Sequence, residues 1–474
     1  MKRSHLTTTA GLLMLGVAGC AVGPNYSRPT VPTSVGWKEQ ATTTNAPVLP
    51  TEWWRIFNDT ELSSLEAQSV EANQDLKQAV ARVAEARALA RVSAAELFPN
   101  ISARGAYSRN HLSENLVRVP GQDLNADDFS AGFDLDYELD VWGRVRRSVE
   151  ASRADASAAA TDLEVVLLTL TADVARNFYL IRSLDAEKAV IEATIALRKD
   201  AVQLQQTRYD AGLINEVDVT RARTELANVE ADLYATTRRR LQLEHALAVL
   251  CGKPPADFAL AENPLIIAPP IIPAGLPSSL LERRPDIVEA EQRLQGESAR
   301  IGVAKAAFFP TIKLTSSAGF ASADLGTFLD WPSRVWSVGP SITFPIFQGG
   351  RNKASLQAAQ ARYEQSVAGY RGTILNAFRE VEDALSDLST LSFQNDAVNR
   401  AVISARDTAT LANERYQKGL SNYLDVVDAQ RTALQAERQE TQLRGQRVVS
   451  TILLAKALGG GWENPEHTQA AEAK

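Results

Sequence analysis

Between residues 129 and 141 the chain alternates without a break. Phe129, Ala131, Phe133, Leu135, Tyr137, Leu139 and Val141 are apolar, while Ser130, Gly132, Asp134, Asp136, Glu138 and Asp140 are small or polar. A period of two over that length predicts a β-strand with one face in an apolar medium and the other in water. A second segment repeats the pattern, with Trp336, Val338, Ile342, Phe344 and Ile346 on one face and Ser337, Gly339, Ser341 and Thr343 on the other. Weaker alternation from Ile101 to Tyr107 and from Ile312 to Phe320 precedes each segment and predicts a pair of hairpins.

Elsewhere the period is helical. Leu163, Leu167, Leu170, Val174, Phe178 and Ile181 step by three or four. Neither Pro nor Gly interrupts the chain from Arg144 to Asp210, so one helix is expected from near Gly143 to about Arg208. At 1.5 Å per residue it is roughly 100 Å long. After a turn at Gly212 a second helix returns to about Leu250, where Gly252 and Pro254 end it. Upstream, an Ala-, Glu- and Arg-rich helix is expected from about Leu62 to Leu97, capped by Asn58 with Glu61 three residues on and stopped by Pro99. Helices are expected again over about 278–308, 350–417 and 423–458.

The second half is a copy of the first. Arg82 to Pro99 aligns with Arg293 to Pro310 at an offset of 211 residues. From Gly132 and Gly339 onward the offset is 207, matching Gly143-Arg144 to Gly350-Arg351, Arg208-Tyr209 to Arg415-Tyr416, and Gly252 to Gly459. The change of four residues is expected in a loop. Such a period exceeds that of solenoid repeats, so one helix–hairpin–long helix–helix unit has been duplicated in tandem.

The N-terminus changes the picture of where the protein resides. Lys2 and Arg3 precede an apolar stretch from Ala10 to Ala18 that is too short to span a bilayer as a helix, and Val17-Ala18-Gly19-Cys20 follows. This reads as a bacterial lipoprotein signal. Residues 1–19 would be removed, Cys20 would carry N-acyl and S-diacylglycerol lipid, and Ala21 favours the outer membrane over the inner. The remainder divides into an extended arm over 20–57, a first repeat over 58–262 (hairpin about 101–141, tip about 208–219), a second over 263–462 (hairpin about 311–347, tip about 415–428), and a tail over 463–474. No run of 18 apolar residues follows the signal, so any membrane crossing must use a closed β-barrel. Four strands per chain cannot close one, whereas three copies would supply twelve.

Charge and chemistry exclude other classes. After signal removal, 48 Lys and Arg stand against 57 Asp and Glu, a net charge of −9 that argues against nucleic acid. Cys251 has no partner once Cys20 is acylated, so neither an intrachain disulfide nor a cysteine metal site is expected. His5, His111, His245 and His467 pair with no acid or cysteine at ligand spacing, and no phosphate-binding loop occurs. No enzyme activity, metal or cofactor is expected beyond the lipid.

The chain resembles the outer-membrane factor lipoproteins of tripartite efflux systems, the NodT or OprM-like branch with the TolC-like fold. The resemblance rests on Cys20-Ala21-Val22-Gly23-Pro24-Asn25-Tyr26-Ser27-Arg28-Pro29, Trp53-Trp54, Leu281-Glu282-Arg283-Arg284-Pro285-Asp286-Ile287, Phe347-Gln348-Gly349-Gly350-Arg351, Asp428-Ala429-Gln430-Arg431 and Lys456-Ala457-Leu458-Gly459-Gly460-Gly461-Trp462. It implies a fold that is mainly α with a transmembrane β-barrel. The homotrimer would form a twelve-stranded barrel in outer-membrane lipid and a long periplasmic α-helical barrel. That tunnel would meet a periplasmic adaptor protein and an inner-membrane pump of the resistance-nodulation-division type. The implied function is a passive exit duct for drugs or other small toxic compounds. Two alternatives stay open: the outer-membrane duct of a type I protein secretion system, and a periplasmic coiled-coil lipoprotein without a pore.

Within this resemblance, residues matching Tyr416, Asp425, Asp428 and Asp218 contribute to a periplasmic gate. Copies of an aspartate around a threefold axis form an anionic ring. Asp218 and Asp425 also suit the first turn of a helix, where acids meet the positive end of the dipole. Ser421 stands where some relatives carry a charge that can pair across the tip, and serine cannot make that pair, which leaves that lock an open question. Gly212, Leu213, Gly419 and Leu420 form the adaptor-docking tip. Asp134, Asp136, Glu138 and Asp140 are expected to line the barrel lumen.

Overall fold

The computed structural model describes residues 21–38, 49–111, 113, 115, 124–265, 268–275 and 277–462. Its helices are α1 (Thr60–Ala72), α2 (Gln74–Ala95), α3 (Arg144–Asp210), α4 (Glu216–Leu250), the single turn α5 (Leu280–Arg283), α6 (Pro285–Ala306), α7 (Arg351–Gln417) and α8 (Tyr423–Ala457). The strands are β1 (Asn100–His111), β2 (Asn125–Glu138), β3 (Thr311–Ser322) and β4 (Arg334–Thr343). The duplication is visible in length: α3 and α7 each have 67 residues, and α4 and α8 each have 35. The signal, Cys20 and the tail over 463–474 lie outside the described residues.

Two compact units draw on both repeats. Among the described residues, one comprises those within 21–30, 82–160 and 289–370, the other those within 31–81, 161–288 and 371–462. The first holds a single antiparallel sheet in the order β1-β2-β3-β4. Asn100 pairs with Asp136 in the first hairpin and Thr311 with Thr343 in the second. Those positions are related by the offsets of 211 and 207, so both hairpins share one register and the four-residue difference falls in the loop between their strands.

Two strand ends differ from expectation. β2 stops at Glu138 because the Asp140 carboxylate accepts hydrogen bonds from the backbone N–H groups of Val145 (3.0 Å) and Arg146 (2.8 Å), starting α3. Leu139 and Val141 continue the alternation without being strand. β4 likewise ends at Thr343, leaving Phe344 and Ile346 beyond it.

The first described residues of the N-terminal arm, 21–30, lie on this same unit. The Val22 N–H donates to the Trp142 carbonyl at 3.0 Å, and Arg147 donates to the Asn25 side chain at 2.7 Å. Tyr26 and Arg28 both donate to Glu291, at 3.0 and 2.7 Å. Gly23 sits so close to Gly302 that a side chain on it would strike the Gly302 backbone, while one on Gly302 would meet the Arg147 side chain.

The second unit carries the main hydrophobic core, built around Trp53, Phe57, Leu62, Phe178, Ile181 and Leu247. Trp53 donates its indole N–H to Thr171 at 3.2 Å, satisfying the one polar atom of a buried ring. The helix expected from 62 to 97 is broken at Asn73, whose side chain donates to the Leu250 carbonyl at the end of α4 (3.0 Å) and accepts from the Leu76 N–H (2.9 Å). The second repeat does the same at the equivalent position: Arg284, between α5 and α6, donates to the Ala457 carbonyl at the end of α8 (2.9 Å). Each returning helix therefore abuts the break in an upstream one, and a side chain at the break satisfies a carbonyl that helix termination leaves unpaired. The predicted cap at Asn58 is corrected by one residue. Asn58 takes φ +52° and ends a 3-10 turn, while the Asp59 carboxylate accepts from the Glu61 and Leu62 N–H groups.

Candidate functional site

Both ends of the long helices close with the same geometry. Gly212 has φ +68°, the Leu213 N–H donates to the Arg208 carbonyl at 2.9 Å, and the Gly212 N–H donates to the Tyr209 carbonyl at 2.8 Å. At the other tip Gly419 has φ +70°, and Leu420 and Gly419 repeat the bonds to Arg415 (2.8 Å) and Tyr416 (3.0 Å). This paired 6→1 and 5→2 closure requires the left-handed conformation that glycine adopts without cost. A β-carbon on either glycine would meet open space, so only the sign of φ requires glycine. Leu213 and Leu420 are left 73% and 66% exposed, apolar groups held out by a rigid turn.

The expected gate residues fall into two groups. Tyr416, at the end of α7, donates its hydroxyl to Gln205 on α3 at 2.8 Å. Its ring centroid lies 5.6 Å from that of Tyr423, and the Arg208 guanidinium sits 4.9 Å from it on the π face. Tyr416 thus joins the long helix of one repeat to that of the other. Asp425 and Asp428 are exposed along one groove of about 770 Å³ between α7 and α8, whose walls include Ala401, Ser404, Ala405 and Thr408. The Asp425 N–H is held by the Asn422 side chain at 3.0 Å, placing its carboxylate in the first turn of α8. Asp218 instead pairs with Arg221 on its own helix at 3.6 Å. Ser421 makes no ion pair, and its buried hydroxyl has no partner.

Behind the tip runs a polar ladder that sequence reasoning did not single out. Glu225 on α4 takes both ends of the Arg431 guanidinium on α8, with Nε donating at 2.8 Å. Seven residues further along each helix, Arg438 donates to Asp232 at 2.7 Å and to Glu187 on α3 at 2.9 Å. Arg198 on α3, 1% exposed, donates to Gln430 at 2.7 Å and lies 3.9 Å from Glu225. Burial pulls the Arg198 pKa down, and the Glu225 charge opposes that shift. The seven-residue step in Glu225/Asp232 and Arg431/Arg438 is the coiled-coil repeat. That spacing was the available signal.

In the sheet, directly opposed residues share a face. One face carries Ile101, Leu135, Phe133, Ile312, Leu314, Ile342, Val338 and Trp336 across all four strands. Trp336 is 74% and Ile342 69% exposed, a cost in water that lipid removes. The other face carries Ser102, Arg104, Asp134, Asp136, Thr315, Ser317 and Ser337. Asp134 lies 3.6 Å from Arg104 and Asp136 lies 3.8 Å from Lys313. Glu138 is committed to Arg144 at 2.7 Å and Asp140 to the start of α3, so these two carboxylates serve the strand-to-helix junction.

No helix among the described residues is long and apolar enough to cross a membrane. Among the described residues no group of three or more His, Cys, Asp or Glu could hold a metal ion. A sheet with one lipid-compatible and one polar face, joined to unbroken helices of 67 residues, has the makings of a membrane channel. The chain belongs to the outer membrane efflux protein family, whose pattern matches residues 66–253 and 276–460. It is 33% identical over 472 residues to the outer membrane protein OprJ of Pseudomonas aeruginosa, covering 98% of this chain and 97% of OprJ. It is 35% identical over 459 residues to the solvent efflux pump outer membrane protein SrpC of Pseudomonas putida, covering 95% and 97%. The solved structure of the outer-membrane channel OprN superposes with a TM-score of 0.86 at 30% identity, covering 94% of this chain and 100% of that one. The protein is therefore an outer-membrane efflux channel with the tandem helical and β-barrel fold.

Proposed function

We propose that three copies of this chain close a twelve-stranded barrel and act as the exit duct of a tripartite pump. In this reading Cys20 carries the lipid. A periplasmic adaptor docks on the Leu213 and Leu420 tips, and an inner-membrane pump of the resistance-nodulation-division type supplies the energy. The observation that carries the proposal is the sheet itself: one face carries apolar side chains on all four strands, and among the described residues β1 and β4 each keep one unpaired edge. Lipid offers no hydrogen bonds to such an edge, so pairing between copies must close it. Eight strands is the small end for known barrels, so four need company.

The gate in this reading is the contact between repeats at the tip. Outward movement of α7 and α8 must break the Tyr416–Gln205 bond and then the Glu225–Arg431 rung. Asp425 and Asp428 supply the anionic ring, and Asp134 and Asp136 the wet wall of the barrel. Cargo is of the small organic, drug-like class, in keeping with relatives such as the solvent pump component. Planar-bilayer recording on the purified full-length protein tests the proposal. Cation-preferring current steps from a species that cross-links as a trimer support it; a stable monomer that never conducts overturns it.

A further inference from the structure

We propose that the cavity between the Trp53–Trp54 turn, α1, α3 and the Gly459–Trp462 turn binds a small organic ammonium ion with an apolar body, received by the Glu66 carboxyl. The inference stands apart from the channel reading. The cavity has a volume of about 490 Å³, within the range of small-molecule sites, and Trp53, Trp54, Val70, Leu167 and Trp462 make its wall predominantly apolar. Glu66 also lines it. Its side chain is fully buried, and neither carboxylate oxygen has a hydrogen-bond partner. Buried polar atoms are nearly always paired, so two orphaned oxygens on one side chain in a cavity wall call for a donor that is not part of the chain.

The donor's chemistry follows from the surroundings. A primary ammonium brings three N–H donors and a compensating charge, and indole rings attract cations on their faces. A metal ion would need further ligands, and no cluster of three or more ligating side chains occurs among the described residues. The other titratable groups around Glu66 are Glu164 on α3, Glu52 and Arg55 on the turn before α1, and the nearby Cys251 thiol. Arg55 is already paired with Glu52 at 2.6 Å. Glu164 is pushed up by burial and adds a second carboxyl to the same wall. Burial also holds Glu66 protonated, with its pKa pushed up to about 9. Binding at neutral pH therefore releases the Glu66 proton to solvent while the ammonium keeps its own three.

Calorimetric titration of the full-length protein in non-ionic detergent tests this, with phenethylammonium chloride as the probe and phenethyl alcohol as the uncharged control. One site is expected, with about one proton released per ammonium bound near pH 7, read from two buffers of different ionisation enthalpy, and with affinity rising up to about tenfold per pH unit between about pH 6 and 8. Glu66→Gln should lower ammonium affinity by about tenfold or more and leave the alcohol unchanged. Absence of saturable ammonium binding, binding without proton release, or equal binding by the Glu66→Gln protein would each overturn the proposal. The proton count needs no variant and decides the matter if Glu66→Gln does not fold.

Discussion

Glu66 and the tip glycines show how single residues set local costs. Glu66 binds its proton more tightly folded than unfolded, because burial raises its pKa from the ordinary carboxylate range to about 9. The folded state therefore holds more protons than the unfolded chain from about pH 4.5 to pH 9, and the Glu66 contribution to stability falls as pH rises through that window. Glu66→Gln removes the dependence. It should leave Tm nearly unchanged at pH 5 and raise stability by roughly 2–4 kcal/mol at pH 8, measured by thermal melting of the detergent-solubilised protein. At the tips, Gly212→Ala or Gly419→Ala should cost about 1 kcal/mol, because alanine resists φ near +70° even in open space. Faster amide exchange confined to residues flanking the altered turn would report it. Other residue-scale features were harder to read in advance. Asn58 and Asp59 are both good capping residues, and spacing alone does not choose between them; the left-handed backbone of Asn58 does. Cys251 caps the end of α4, fully buried, with its thiol pushed up to about 11.

At the scale of elements, the long helices, the hairpins and the duplication were legible because each has a strict period or an uninterrupted composition. The break at Asn73 was not. Asparagine within an Ala-, Glu- and Arg-rich stretch carries no strong stop signal, and the helix ends there because a carbonyl 177 residues away claims its side chain. The ladder between α4 and α8 was missed for the same reason: Glu225 and Arg431 are 206 residues apart, and only the fold brings them together. Arg284 offers a test of the joints. It serves Ala457, Glu380 and Asp286 at once and is buried. Arg284→Ala should cost about 3 kcal/mol by stranding those acceptors, and Arg284→Lys should recover only part of it, since lysine lacks the planar fork. The ladder makes a different prediction. Tyr416→Phe combined with Arg431→Ala removes the Gln205 bond and the Glu225 rung, and open probability in bilayers should rise with little change in the assembled barrel. Closed-state currents equal to those of the unaltered protein would argue against a gate at this contact.

At the scale of the whole molecule, the two faces of the sheet should answer opposite substitutions differently. Val338→Lys places a charge on the lipid side and should cost roughly 2–4 kcal/mol per copy, lowering the yield of inserted barrel. Ser337→Lys, one residue away on the wet face, should insert normally and reduce cation preference in single-channel recordings. Equal insertion by both would contradict the assignment of faces. The joints at Asn73 and Arg284 have a mechanical meaning as well. At each joint the end of the returning helix is fastened to the upstream one by a side-chain bond instead of a continuous backbone ladder. Torque applied at a tip is expected to strain these two fastenings before the unbroken backbones of α3 and α7. Stapling those seams covalently should stiffen the protein, read as slower amide exchange at the ends of α4 and α8.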